Sequence, residues 1–296
     1  MEFHLFQSAT LLFLGFIISH AAIDPEVYFK SMLPNTPMPK SIKDSLSNDV
    51  TTSLVLGKPK TPFTEYDSPV SNEQIRVLQA SSRFFLEKNL KEGKTVKLHV
   101  SKELSTTPPF VPRQVADSWP ITSNNIQDIY EAFKVTPGSI EADLIKKTVN
   151  VCEKASNHEE DQYCATSLES MVDFAASKLG KNVKVISTQV NGVENTPLHG
   201  YKVEDVMKLN GDTGVVCHQE YYAYAVNYCH KAPKINAYMV SLVGEDNVRT
   251  DALSICHQDT SSWNPKHLAF QVLDVKRGTD AVCHFLVEDE VVWVPY

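Results

Sequence analysis

The chain has 296 residues, 42% of them apolar, with 6 Cys, 10 His and a formal net charge of −8. That apolar fraction is enough for the core of one large domain or two small ones. The acidic balance, with no clustered Lys or Arg, excludes a basic nucleic-acid-binding surface, and no segment after the N-terminus approaches the about 20 apolar residues of a membrane span.

At the N-terminus, Ala9 to Ile18 forms a short apolar run, and Ser19-His20-Ala21 offers small residues for cleavage after Ala21. Residues 1–21 therefore read as a secretory signal peptide, although Glu2 and His4 precede the run without any Lys or Arg. Residues 22–82 carry Pro25, Pro34, Pro37, Pro39, Pro59, Pro62 and Pro69 without sustained periodicity. The expectation is a poorly ordered, partly polyproline-like leader with one short helix around Val27 to Leu33. The alternative is an extended strap packed over the domain that follows.

From Arg83 the character changes. Thr95 to Val100 alternates like a strand, and Ser105 to Arg113, rich in proline, reads as loop. Ser123 is a candidate cap for a helix with Ile126, Ile129, Tyr130 and Phe133 on one face. Ser139 opens a second, with Ile140, Leu144, Ile145 and Val149 at helical spacing. A third follows Thr166 in a capping box with Glu169, buries Leu168, Met171, Val172, Ala175 and Leu179, and stops at Gly180. Strands are expected over 183–190, 215–218, 221–230, 237–243, 252–257, 281–286 and 291–294, with a short helix at 265–272. The pattern predicts an α+β fold over residues 83–296: a helical N-terminal half, then an antiparallel, strand-rich half.

Cys152 ends the second helix and Cys164 precedes the third. A bridge between them would close the polar loop KASNHEEDQY, hold the helices as a hairpin and contribute about 3 kcal/mol. The other four cysteines each precede a histidine: Cys217-His218, Cys229-His230, Cys256-His257 and Cys283-His284, followed by Trp293, or CH-x10-CH-x25-CH-x25-CH-x8-W. By chance a Cys would precede a His about one time in thirty. In a strand, such a dipeptide sends its sulfur to one face and its imidazole to the other. Six Cys in a secreted chain favour three disulfides, but sequence alone leaves the partners of Cys217, Cys229, Cys256 and Cys283 open. Zinc bound by both Cys and His is the alternative, although the close ligand pairs of structural zinc sites are missing.

His218, His230, His257 and His284 are the candidate metal ligands. Neutral imidazole suits copper, zinc and nickel, and Cu(II) most strongly once the thiols are tied up as disulfides. The plainer reading gives each imidazole only a hydrogen bond within its sheet. His199 and His267 are further candidates as extra or supporting ligands, whereas His99 and His158 are expected in solvent. On the strand ending at His230, Tyr222, Tyr224, Val226 and Tyr228 share its face by period two, and Cys229 falls opposite with Ala223 and Ala225. Acidic pairs such as Glu288 and Glu290 are expected to face water. No phosphate loop, G-x-S-x-G or H-E-x-x-H is present in the sequence.

The spacing of the four CH pairs, the paired Phe84-Phe85 in RFFLEKNL, TSSWNPKHLAF and the terminal VVWVPY together resemble the plant BURP domain, over about Arg83 to Tyr296. They look most like its dehydration-responsive subfamily, as does YFKSMLPNTPMPKSIKD near the front. That subfamily's long valine- and glycine-rich repeat region is missing. The resemblance implies a secreted protein of the apoplast, cell wall or storage vacuole, acting in stress or development, with wall polysaccharide or pectin-degrading enzymes as partners. Some members resemble copper-dependent enzymes that cross-link an aromatic side chain to a peptide, often within their own precursor. For such a macrocyclase the cross-link candidate here is Trp119, at the end of Gln114-Val115-Ala116-Asp117-Ser118-Trp119; the plainer role for Trp119 is packing after a turn. The leader holds no Trp and no repeated core unit, so a separate peptide substrate stays open.

Overall fold

The computed structural model describes residues 23–47, 75–76, 79, 81–98, 108–158, 161–190, 199–209, 211–286 and 290–296. The expected signal peptide, His99 and most of the leader lie outside the described residues, as do the side chains of His158 and His199.

Alternating apolar residues dictate the architecture of the second half of the chain. Two antiparallel sheets form, and their apolar faces close on each other. One sheet contains β3 (Gln162–Ala165), β4 (Val183–Ile186), β7 (Thr213–Glu220), β8 (Val226–Pro233) and β12 (Val291–Pro295), in the order β3-β8-β7-β12-β4. The other contains β1 (Phe84–Leu86), β2 (Thr95–Leu98), β6 (His199–Lys208), β9 (Ile235–Gly244), β10 (Arg249–His257) and β11 (Val282–Phe285), in the order β1-β11-β10-β9-β6-β2. A short β5 (Gln189–Val190) also pairs with β10. Between the sheets, Val216, Ala232, Val292 and Val294 of the first meet Ala237, Leu253 and Ile255 of the second. The fold is α+β, as expected, but helices and strands are not cleanly segregated: β1, β2 and β3 come from before or among the helices and form sheet edges.

The outer face of the five-stranded sheet is covered by α1 (Pro25–Met32), α2 (Lys40–Ser47) and α6 (Leu168–Leu179). Asp24 caps α1 by accepting from the amides of Glu26 and Val27, with proline at N1. Phe29, Leu33, Met38 and Ile42 sink into the same core as Leu168, Met171, Val172 and Trp293. Over residues 25–47 the chain packs on the domain, not as an extended strap but as two short helices, the first close to the one expected around Val27 to Leu33. Burying each large apolar side chain contributes about 1.5–3 kcal/mol toward holding this segment on the domain.

A second cluster gathers α3 (Arg113–Ser118), α4 (Ile126–Ala132) and α5 (Ile140–His158) around Tyr221, Tyr222, Ala223, Tyr224 and Val226. Two local expectations change here. The cap of α6 is Ser167, paired with Ser170, not Thr166 with Glu169; the box sits one residue later because Ser167 has the extended backbone a cap requires. The strand expected over 221–230 begins at Val226, and residues 221–225 bend into the helical cluster, which takes up the Tyr222 and Tyr224 rings. Tyr228 alone of the three stays on the strand with His230.

Three disulfides are present: Cys152–Cys164, Cys217–Cys229 and Cys256–Cys283. The first is the pairing expected from the intervening loop, but it ties α5 to the edge strand β3 instead of closing a helical hairpin, because α5 continues beyond Cys152. No free thiol remains, which overturns zinc bound by both Cys and His: oxidised sulfur is no longer a thiolate ligand. A short α7 (Leu268–Leu273) packs on β1.

Candidate metal centre

The two sheets carry the same local device. In the β7–β8 hairpin, Cys217 lies directly opposite Cys229, with Cα atoms 4.0 Å apart; in the β10–β11 pair, Cys256 lies opposite Cys283 at 3.9 Å. Such close facing is typical of non-hydrogen-bonded antiparallel positions, where the two side chains project together. The disulfides lie in the outer clusters of their sheets. Alternation then turns the following histidines inward. His218 stands opposite Tyr228 and His230 opposite Val216, so the two imidazoles meet diagonally across the bond. His257 opposite Val282 and His284 opposite Ile255 repeat the arrangement. Both imidazole pairs stack, at centroid distances of 5.4 and 5.6 Å with rings 12° from parallel.

His218 is the best-defined member. Its Nδ1 lies 2.6 Å from Oε1 of Glu290, and its Nε2 lies 3.3 Å from Nε2 of His230. A carboxylate accepts only, so Nδ1 of His218 is the donor to Glu290, and Nε2 is the nitrogen that faces His230. Carboxylate–imidazole pairing of this kind orients metal ligands. Two nitrogens each about 2.0–2.1 Å from a tetrahedral ion stand about 3.3–3.4 Å apart. The His218–His230 spacing matches.

Electrostatics keeps the donors available. Burial pushes the His230 imidazole down to about 3, with repulsion from His218 adding to it. Burial likewise lowers His284 to about 4, and holds His257 well below its ordinary value together with His284, His230 and His218. These rings are neutral at pH 7, the form that ligates metals. Val216 and Ala232, which flank the first pair, and Ile255, opposite His284, belong to one core cluster between the sheets. Among the described residues, no three His, Cys, Asp or Glu side chains already stand grouped so as to hold an ion; the preformed unit is the pair.

The remaining sequence candidates separate. The His267 Nδ1 accepts from the Ala269 amide and caps α7, while its ring packs on Trp263 at 4.6 Å. Trp263 in turn lies 4.8 Å from His257, so an aromatic wall flanks that side of the site. Trp119, the cross-link candidate, rests on Phe133 at 5.7 Å, and its carbonyl accepts from the Tyr224 hydroxyl at 3.4 Å. Glu290 was expected in water and instead bonds His218, with its side chain only 16% exposed. Its signal was the alternation of β12: Val292 and Val294 point between the sheets, so Glu290, two residues earlier, does too.

A BURP domain family model matches residues 83–295. Among curated proteins, the chain is 43% identical over 287 residues to BURP domain-containing protein 5 of Oryza sativa subsp. japonica, covering 93% of this chain and 88% of that one. It is 44% identical over 240 residues to BURP domain protein RD22 of Arabidopsis thaliana, covering 79% of this chain and 61% of that one. It is 32% identical over 236 residues to Polygalacturonase 1 beta-like protein 2 of Arabidopsis thaliana, covering 78% of this chain but 38% of the relative. Together with the disulfide-backed CH strand pairs, these matches establish that the chain belongs to the plant BURP domain family.

Proposed function

We propose that this protein is a secreted, metal-binding BURP protein that holds copper, or a similar borderline ion, through His218, His230, His257 and His284, and that it acts in the cell wall or a storage compartment in stress or development. The observation that carries the reading is the facing of two imidazole nitrogens at 3.3 Å with Glu290 on the far nitrogen of His218. Two strand pairs with the same Cys-His arrangement, each with its thiols removed as a disulfide, leave imidazole as the principal donor, and that donor set suits Cu(II). Three disulfides fit an oxidising compartment. Among the described residues, no helix is long and apolar enough to cross a membrane. The name of one relative refers to polygalacturonase, which supports wall pectin, or the enzymes that cleave it, as the partner.

The test is metal analysis of the purified protein after exposure to Cu(II) and removal of excess. Stoichiometric copper in the wild type, lost when all four histidines are replaced by alanine, is the expected result. No copper in the wild type, or unchanged copper in the variant, overturns the reading.

A further inference from the structure

Glu220 is the last residue of β7 and lies two positions beyond His218, hence on the same inward face of the strand. It is only 2% exposed. Neither carboxyl oxygen has a hydrogen-bond partner among the described residues. A carboxyl buried without donors is costly, and an isolated buried carboxylate more so. An orphan of this kind is a sign of a missing ion or water. Among the described residues, the charged groups that act on it most are His218 and Glu290. Among the described residues no donor satisfies it, which leaves it suited to a bound cation.

We propose that Glu220 supplies a carboxylate oxygen to the cation held by the inter-sheet imidazoles, which fits the site to a divalent ion; this rests on the metal reading above. The charge count supports it. Neutral imidazoles leave the full charge of a buried dication uncompensated, and a buried charge is tolerated only when paired. Glu220, on the strand of His218, and Glu290, just before β12, supply two negative charges. A monovalent ion such as Cu(I), which prefers softer donors, gains less from a hard carboxylate oxygen.

Glu220→Gln keeps the shape and removes the charge. Cu(II) affinity should fall on the order of tenfold or more, Cu(I) affinity should stay unchanged, and the Cu(II) electron paramagnetic resonance spectrum should shift toward an all-nitrogen ligand set. If Glu220→Gln fails to fold, Glu220→Asp keeps the charge and withdraws the oxygen, and the same selective loss of Cu(II) affinity is expected. Equal Cu(II) affinity and an unchanged spectrum in the folded variant, beside a wild type that binds copper, would overturn the role of Glu220 alone. A wild type that binds no copper would overturn the metal reading as well.

Discussion

The Nε2 atoms of His218 and His230 face each other at 3.3 Å across the Cys217–Cys229 bond, diagonal partners on adjacent strands. The disulfide draws the strands together on the outer face, and the same pleat brings the imidazoles together on the inner one. Staple and donor pair are two sides of one hairpin position.

Glu290 fixes which nitrogen of His218 bears the proton. Replacing Glu290 by alanine should free that ring to rotate and weaken copper binding by about 10–100-fold, with little change in the fold. A chelator competition titration measures this; unchanged affinity would make the Glu290 contact incidental.

Losing a staple should cost both stability and metal affinity. In the chain-entropy model the Cys256–Cys283 bond, with a sequence separation of 27, contributes about 3.6 kcal/mol, against about 2.8 for Cys217–Cys229, with a separation of 12. Double Cys→Ala variants unfolded in denaturant should keep that order, and each should bind copper more weakly than the wild type. A variant that loses stability but keeps full affinity would uncouple the staple from the imidazoles.

The metal-free protein should lose stability in mild acid. His230 and His284 take up protons near the ordinary value of 6.5 when unfolded, but only at about 3 and 4 in the fold, and His257 is shifted the same way. Below 6.5 the unfolded chain therefore binds more protons, and stability falls with pH, by at most about 1.4 kcal/mol per unit for each ring. Glu220, raised by burial from 4.5 to about 7, has the opposite slope, since its folded form retains a proton that the unfolded form releases. Three rings outweigh one carboxyl, so Tm measured in chelator should drop between pH 6.5 and 4.5. A flat or rising Tm there would show that the rings are not buried neutral.

Phe29 is 1% exposed and packs 6.3 Å from Trp293, although it lies far upstream of the matched family domain. Phe29→Ala should destabilise the protein by about 3–5 kcal/mol, measured by urea unfolding. A loss below about 1 kcal/mol would mean that α1 rests on the domain without supporting it.

Much of this was legible before any tertiary contact was known. The helical spacing of Ile140, Leu144, Ile145 and Val149 marks a helix because one face must be apolar, and all but Ile140 are buried. The loop from Cys152 to Cys164 named its own disulfide because a polar, charged loop gives two free thiols nowhere to be buried. Tyr222 and Tyr224 misled, since period two holds only while the strand lasts, and the helical cluster draws them out of it. The leader residues Phe29, Leu33, Met38 and Ile42 gave too weak a periodic signal between prolines to reveal that another element's surface was waiting for them.

The sequence by itself determined the family, the strand character of the CH segments and the opposite facing of each sulfur and imidazole, because these depend on local alternation and spacing. Only the tertiary structure decided how the four CH cysteines pair, that the imidazoles meet two by two between sheets, and that Glu220 and Glu290 turn inward beside His218. Register between strands distant in sequence sets those relations, and register arises from packing the two sheets together, which no local window of residues contains.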